Sequence, residues 1–144
     1  SAIADRHGIP LNVFDFEITE SAADDYETIQ RQMLLLQQKG AVISLDDFGT
    51  GTSNLTRLMK LPIHVVKLDM DITHSYFRGE AEFLPDLIKM FQNSQMKIVV
   101  EGVETVPMKE KLSDLKCDYL QGFYFSKALP PEEFMKYFEA QKQE

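Results

Sequence analysis

The sequence predicts an α/β protein, a partial (β/α)8 TIM-type barrel of about five βα units with a parallel sheet. Short strand-like segments alternate with single helices along the chain, which indicates parallel βαβ units. Each predicted strand has an apolar face and a face that becomes polar toward its carboxyl end. A complete barrel takes about 250 residues, whereas this chain has 144, so the sequence predicts five units rather than eight.

The strands are predicted from short apolar runs bounded by turn signals. They cover roughly residues 12–18, 41–46, 64–69, 97–101 and 118–125. The helices follow from apolar residues spaced three to four apart. They cover roughly residues 1–8, 22–39, a short stretch before Pro62, 80–94, 106–116 and a stretch after Pro131. No linker interrupts this alternation, so residues 1–144 are expected to form one unit.

The alternation of side chains along each strand separates two possible architectures. In the third strand, Lys67 faces the opposite side of the sheet from Val66 and Leu68. The other strands repeat this pattern with polar residues on the same side: Asp15, Glu17, Ser44, Asp46 and Glu101. An open doubly wound sheet needs two apolar faces because helices cover both. A barrel permits a polar inner pole at the carboxyl ends of its strands, so the barrel is favoured.

The composition excludes several classes of function. A formal net charge of -8 argues against general electrostatic attraction to a nucleic-acid polymer or an anionic membrane. An anionic substrate would therefore need a bridging cation, such as a metal. The single cysteine, Cys117, excludes an internal disulfide framework and indicates a small residue, buried or half-buried, in a reducing compartment. There is no apolar run of about 20 residues and no visible signal peptide; the start at Ser1 suggests a piece of a longer protein.

Polar residues collect where the predicted strands end, and this pattern indicates chemistry on a charged substrate. They are Glu17, Asp46, Asp47, Lys67, Glu101, Glu104 and Gln121. A buried lysine without a partner is costly, so Lys67 is expected to pair with one of the acids near it. Structural explanations remain open at this point: an ion pair for Lys67, a turn for the Asp pair, and helix caps for the two glutamates. The three histidines show no ligand spacing and are expected on the surface or in turns.

Five motifs, in this order and spacing, closely resemble the C-terminal portion of the EAL domain, a bacterial phosphodiesterase family that hydrolyses cyclic di-GMP. They are EITES at 17–21, DDFGTG at 46–51, KLD at 67–69, EGVET at 101–105 and QGFYFSKAL at 121–129. Together they cover nearly the whole chain. The resemblance implies a (β/α)8 barrel of which this chain would supply strands 4 to 8, as a single truncated EAL domain.

The resemblance also implies a site with two divalent cations, Mg²⁺ or Mn²⁺. Glu17 and Asp46 correspond to ligands of the first metal, and Asp46 bridges to the second, which Asp47 also binds. Lys67 corresponds to the lysine that holds the attacking water. Glu101 corresponds to a glutamate that helps to activate this water or lies beside the second metal.

The remaining matches imply supporting roles. Glu104 and Gln121 correspond to residues at the mouth of the site, and Asp69, in the KLD motif, is grouped with them. Glu20 corresponds to the glutamate that anchors the DDFGTG loop, which in the family couples metal binding to substrate binding and dimerisation. Gly49 and Gly51 allow that loop to turn where bulkier residues would resist.

The chain departs from the family pattern in lacking the name-giving Glu-Ala-Leu motif and the third-strand asparagine, which would both lie upstream of Ser1. Smaller departures are Thr52, Val100, Phe123 and Ala128. We therefore expect the C-terminal part of a cyclic di-GMP phosphodiesterase, inactive by itself, cytoplasmic in a bacterium, and prone to homodimerise or self-associate. A non-catalytic EAL-like module that binds cyclic di-GMP or a protein is the alternative, and an unrelated enolase-type barrel is a distant third.

Overall fold

The computed structural model describes residues 2–19, 26–50 and 55–141. The strands are β1 (Asp15–Thr19), β2 (Val42–Phe48), β3 (Val65–Leu68), β4 (Lys97–Val100) and β5 (Tyr119–Leu120). The helices are α1 (Ala2–His7), α2 (Tyr26–Gln38), α3 (Leu55–Leu58), α4 (Met70–Phe77), α5 (Leu84–Asn93), α6 (Val106–Asp114) and α7 (Pro131–Gln141), with a 3-10 turn at Leu11–Val13. None of these helices combines the length and the apolar character needed to cross a membrane.

The sheet confirms the predicted fold class. Its five strands pair in parallel in the order β1-β2-β3-β4-β5. A doubly wound sheet reverses its strand order at a switch point, whereas the strands of a barrel follow one another in chain order. Among the described residues the sheet does not close, and β1 and β5 are its two edges.

The core lies between the sheet and its helices. The outward residues of the three central strands are almost fully buried: Ile43, Leu45, Val66, Leu68, Ile98 and Val100. They pack with Leu84, Ile88 and Phe91 of α5. Burying one such side chain stabilises a fold by about 1.5–3 kcal/mol, so this layer fixes which face of each strand looks inward. The predicted alternation is confirmed.

The helix α4 was not predicted, although its start carries a clear signal. The carboxylate of Asp69 accepts a hydrogen bond of 2.7 Å from the backbone N–H of Asp71 and so caps the helix. Asp is a favoured N-cap, but Ile72 and Thr73 have low helix propensity because they are β-branched. Both are buried, and packing against the core outweighs that local preference.

Three boundaries differ from the prediction for local reasons. The strand β1 begins at Asp15 rather than near 12, because residues 11–13 form a 3-10 turn. The helix α5 begins at Leu84 rather than near 80, with a proline in its first turn, where a missing N–H is harmless. The strand β5 has two residues rather than eight, because the chain turns at Gly122 against the backbone of Val103.

Large exposed apolar side chains concentrate beside the two open edges of the sheet. Near β1 they include Val13, and the helix α7 at the other end has no buried residue. On α7 they are Phe134, Met135 and Phe138. Contiguous exposed apolar surface commonly marks a site of contact with another protein.

Cys117 lies partly buried against the core, as expected. Burial, reinforced by the negative charge of Asp118, raises the pKa of its thiol to about 11.

The reactivity of Cys117 tests this environment, because the thiolate is the form that reacts with alkylating agents. In the folded chain the rate of alkylation by iodoacetamide should keep rising up to about pH 11. In the urea-unfolded chain it should level off above the ordinary thiol pKa of about 8.5. Because the pKa is higher in the folded chain, the thiol contributes fully to the free energy of unfolding below about pH 8.5. This contribution is lost as the pH rises toward 11. A native rate that levels off at the same pH as the unfolded control would contradict this account.

Candidate functional site

A β-bulge at the end of β2 determines where the two consecutive aspartates lie. Leu45 pairs with Val66 and Phe48 pairs with Leu68, so two residues of β2 stand opposite one residue of β3. Asp47 takes a left-handed conformation with φ 54°, which is rare outside glycine but tolerated by Asp. Such bulges redirect side chains at the ends of strands.

The bulge keeps both aspartates out of the core. In a regular strand Phe48 would face inward and Asp47 would lie under the helices. Here Phe48 returns to the helix side and packs edge-on against Phe91 of α5, with ring centroids 5.2 Å apart. The sequence offered one signal for the bulge: two acids directly before an aromatic residue and Gly49. Strict alternation would bury one of these acids, so the Asp-Asp-Phe run argues for a break in the alternation.

The ammonium group of Lys67 lies at the centre of the polar strand ends. It contacts carboxylate oxygens of Asp46 at 2.7 Å, Glu17 at 2.9 Å and Glu101 at 3.1 Å. The side chain of Lys67 is only 14% exposed. The sequence required one partner for this lysine, and the structure provides three: one on β1, one on β2 and one directly after β4. The parallel sheet thus brings these four residues together at one pole.

Lys67 is held firmly in its protonated, positively charged form. Burial alone would lower its pKa, but the hydrogen bonds with Asp46, Glu17 and Glu101 outweigh burial and raise the pKa above its ordinary value. Three carboxylates around one ammonium leave two formal negative charges at this pole. A site with that residual charge attracts cations.

Glu101 is held in place by the backbone that follows it. Its N–H donates to the carbonyl of Leu68 at 3.0 Å, and the next residue, Gly102, has φ 75°. The ring of His74 on α4 donates from Nε2 to the Gly102 carbonyl at 2.9 Å, because a carbonyl oxygen only accepts. His74 therefore helps to hold the loop that carries Glu101. We expected His74 on the surface or in a turn; it lies instead within α4 and is partly buried.

His64 lies in the connecting segment directly before β3, which agrees with the expectation of a surface or turn position. Its ring is partly buried, and Nδ1 accepts a hydrogen bond of 3.3 Å from the Ile43 N–H. The third histidine, His7, is exposed at the end of α1 as expected. Neither His64 nor His7 lies among the polar strand ends.

Glu104 and Gln121 meet beside Glu101. All three line a cavity of about 170 Å³, together with Met70 and the Gly122 turn. The carbonyl of Gln121 accepts from the Val103 N–H at 3.0 Å, which joins the loops after β4 and β5. The cap of α6 is Thr105, whose hydroxyl accepts from the Met108 N–H at 3.4 Å. This leaves the neighbouring glutamates free of the capping role that was one structural explanation for them.

The other predicted site residues are placed as follows. Asp69 caps α4, so its carboxylate already has a structural task. Gly49 has φ 109° and packs beside Ile72, where a Cβ would approach within 3.3 Å. Glu20 and Gly51 lie outside the described residues.

The chemistry of the acids at this pole suits a hard divalent cation, because Mg²⁺ and Mn²⁺ prefer carboxylate oxygens. Their arrangement is incomplete for that purpose. Among residues 2–19, 26–50 and 55–141, no three His, Cys, Asp or Glu side chains are placed so that they could hold a metal ion. The three carboxylates converge on the ammonium of Lys67 instead. The chain thus supplies suitable donors without a finished ligand shell.

Replacing Gly122 tests the contact between the two loops. A Cβ there would overlap the backbone nitrogen and carbonyl oxygen of Val103, and no rotamer change can relieve an overlap with backbone. We expect Gly122→Ala to lower the free energy of unfolding by about 3 kcal/mol or more, at the upper end of overpacking costs.

The matched control for this substitution is Gly79→Ala. Gly79 has φ 79° and nothing within 4 Å of an added Cβ, so its substitution carries only the left-handed strain of about 1–2 kcal/mol. Urea titration of both variants gives the comparison. A loss at Gly122 no larger than the loss at Gly79 would show that the loops are not rigidly joined.

Comparison with known proteins identifies the family. The family model described as the EAL domain matches residues 1–128. The cyclic di-GMP phosphodiesterase NbdA of Pseudomonas aeruginosa is 36% identical over 141 residues, which cover 92% of this chain and 18% of NbdA. The chain spans 15 to 18% of the length of curated relatives of this kind.

Solved structures agree with the sequence relatives. A structure of the phosphodiesterase PaMucR in complex with c-di-GMP matches with a TM-score of 0.85 and 32% identity, covering 92% of this chain and 55% of that one. The EAL domain of Mycobacterium smegmatis DcpA matches with a TM-score of 0.87 and 30% identity, covering 96% of this chain and 64% of that one. The motifs at the strand ends, the sequential parallel sheet and these matches together show that the chain belongs to the EAL-domain family.

Proposed function

We propose that this chain is the C-terminal part of a phosphodiesterase domain that hydrolyses one phosphodiester bond of cyclic di-GMP to give the linear dinucleotide. The observation that carries the proposal is the cluster of Lys67 with Glu17, Asp46 and Glu101 at the carboxyl pole of the sheet. That pole is where barrels of this type place their active sites. Relatives named for this activity and for this ligand support the substrate.

The chemistry requires charge neutralisation, because a phosphodiester anion repels hydroxide. In the proposed site Glu17, Asp46, Asp47 and Glu101 would hold two Mg²⁺ or Mn²⁺ ions. When bound, such ions neutralise the phosphate and lower the pKa of a coordinated water. Lys67 donates a hydrogen bond to the attacking water and so orients it. Glu101, 3.1 Å from Lys67, accepts the proton that the attacking water loses.

The supporting residues position the substrate and the loops. Glu104 and Gln121, beside Glu101 in the 170 Å³ cavity, contact the dinucleotide. Asp69 supports the site indirectly, because its carboxylate caps the N-terminus of α4. Glu20 anchors the DDFGTG loop, whose Gly49 and Gly51 let it turn, and couples that loop to dimerisation.

The five βα units correspond, in this proposal, to strands 4 to 8 of an eight-stranded barrel. The open edges of the sheet support this assignment, and so does the coverage of 64% of the DcpA EAL-domain chain, which is close to five eighths. The remaining strands would then complete the ligand shell. A cytoplasmic location in a bacterium is part of the proposal; the single unpaired cysteine supports a reducing compartment.

A second candidate function is a non-catalytic module that binds cyclic di-GMP or a protein. It is favoured by one observation: the described acids converge on Lys67 rather than forming a group placed to hold a metal ion. Phosphodiesterase activity of the longer protein with Mg²⁺ would separate the two, since a receptor binds the dinucleotide without converting it.

The isolated chain should show negligible hydrolysis of cyclic di-GMP with Mg²⁺, because its metal ligands are incomplete. We expect turnover at least about a thousandfold below that of the MucR phosphodiesterase domain assayed in parallel, the scale of effect seen when groups that stabilise a transition state are removed. Chromatographic detection of the linear dinucleotide provides the measurement. Turnover near that of MucR would overturn the assignment of this chain as an incomplete site.

Self-association of the isolated chain is expected, because β1 and β5 are the edges of the sheet among the described residues, edge strands tend to pair with other chains, and α7 exposes Phe134, Met135 and Phe138. Sedimentation velocity should show dimers or larger species that grow with concentration. Phe134→Ser with Phe138→Ser should weaken this association, whereas Lys136→Ser on the same helix serves as the control. A monomer at every concentration would contradict the expectation.

A further inference from the structure

Two hydrogen bonds hold the backbone on either side of the Glu101 side chain. The Glu101 N–H donates to the carbonyl of Leu68 on β3 at 3.0 Å. The carbonyl of the next residue, Gly102, accepts from Nε2 of His74 on α4 at 2.9 Å. The first contact continues the pairing of β4 with β3 and involves backbone atoms only. The second comes from a side chain, so it depends on which residue stands at position 74.

Gly102 is the residue in this stretch that most needs such a contact. Glycine has more conformational freedom than any other residue, and Gly102 takes a left-handed conformation with φ 75°. The start of α4 packs closely on it: an added Cβ would lie 2.6 Å from Cβ of Met70 and 3.0 Å from Nε2 of His74. A larger residue is therefore excluded, and a partner must fix the Gly102 peptide in place of a side chain of its own.

We propose that His74 is a positioning residue for Glu101: its hydrogen bond to the Gly102 carbonyl fixes the backbone that carries Glu101 and so keeps the Glu101 carboxylate on the ammonium of Lys67. This inference deepens the proposed function and rests on it in one respect, because that function makes Glu101 the acceptor of the proton from water. The contact between His74 and Gly102 is itself independent of any reaction.

Lys67 and His74 reach this stretch from one continuous segment. Lys67 lies on β3, and α4 begins directly after that strand, with Asp69 as its N-cap. The Lys67 ammonium lies 3.1 Å from Oε1 of Glu101, while the ring of His74 contacts the peptide that follows. The segment formed by β3 and α4 thus contacts both the side chain and the backbone at the end of β4.

The direction of the Glu101 side chain depends on these two backbone anchors. Each residue has two soft dihedral angles, so releasing the Gly102 carbonyl frees the angles that aim the Glu101 Cα–Cβ bond. The Glu101 side chain is only 17% exposed, and a small rotation carries its carboxylate off Lys67. In the proposed reaction a misplacement of about 1 Å would lower the rate by up to about a hundredfold.

The test compares His74→Phe with His74→Gln in the isolated chain, with the ¹⁵N signal of the Lys67 ammonium as the readout. Phenylalanine keeps a ring but has no N–H, whereas the amide nitrogen of glutamine is a donor at the same number of bonds from Cβ as Nε2 of histidine. The variant Glu101→Gln gives the reference signal of a Lys67 that has lost this carboxylate. We expect His74→Phe to move the Lys67 signal toward that reference and His74→Gln to leave it near the wild-type position.

The matched control is Tyr76→Leu on the same helix, because the ring of Tyr76 contacts Phe77 and Lys111. This variant should lower the melting temperature without moving the Lys67 signal. An unmoved Lys67 signal in folded His74→Phe would overturn the inference. An equal shift in His74→Gln or in Tyr76→Leu would overturn it as well, because the hydrogen bond would then not be the cause.

If His74→Phe does not fold, His74→Asn takes its place. The asparagine amide has the chemistry of the glutamine amide but lies closer to the backbone, short of the Gly102 carbonyl. A Lys67 signal that moves in His74→Asn and not in His74→Gln supports the inference, and an unmoved signal in both overturns it. None of these measurements follows hydrolysis, so their failure would leave the proposed reaction to the assay of the longer protein, and absence of that activity would leave the His74 contact in place.

Discussion

A charged amine enclosed at one end of a parallel sheet is tolerable only if negative charge surrounds it, and this requirement organises the polar pole of the molecule. Lys67 brings acids from three other strands to within hydrogen-bond distance. The strands can deliver them because all five run in the same direction and in chain order. The apolar side chains on the opposite face fix the orientation of each strand under the helices. The core thus determines which way the acids point, and the lysine determines how closely they approach.

Much of the fold and most of the cluster followed from local pattern. Alternation along β3 was enough to separate the face of Lys67 from that of Val66, and the buried lysine required acidic partners. The parallel arrangement then placed the strand ends together. These predictions succeeded because a half-buried strand has a side-chain period of two residues and a helix a longer one. Turn signals between the apolar runs separated the two kinds of segment.

The features that sequence reasoning missed depend on contacts between distant segments. Helix α4 is stabilised by burial of Ile72 and Thr73, which have poor intrinsic preference for helices. The hydrogen bond from His74 to the Gly102 carbonyl joins a helix to a loop 28 positions later. The overlap that excludes a side chain at Gly122 involves the backbone of Val103. A local sequence pattern does not reveal such pairs, because the residue type of one partner does not indicate which distant residue it contacts.

The bulge in β2 has a consequence for how this segment can change over time. Before the bulge, every second residue up to Leu45 faces the helices. After it, Phe48 faces the helices although it is three residues from Leu45, an odd spacing that a regular strand would not allow. Loss or gain of a single residue between Leu45 and Phe48 would shift Phe48 away from Phe91 and carry an acid toward the core. Point substitutions can therefore accumulate along this strand, but its length cannot drift. The requirement for folding therefore constrains the number of residues between Leu45 and Phe48, independently of selection for any reaction at the site.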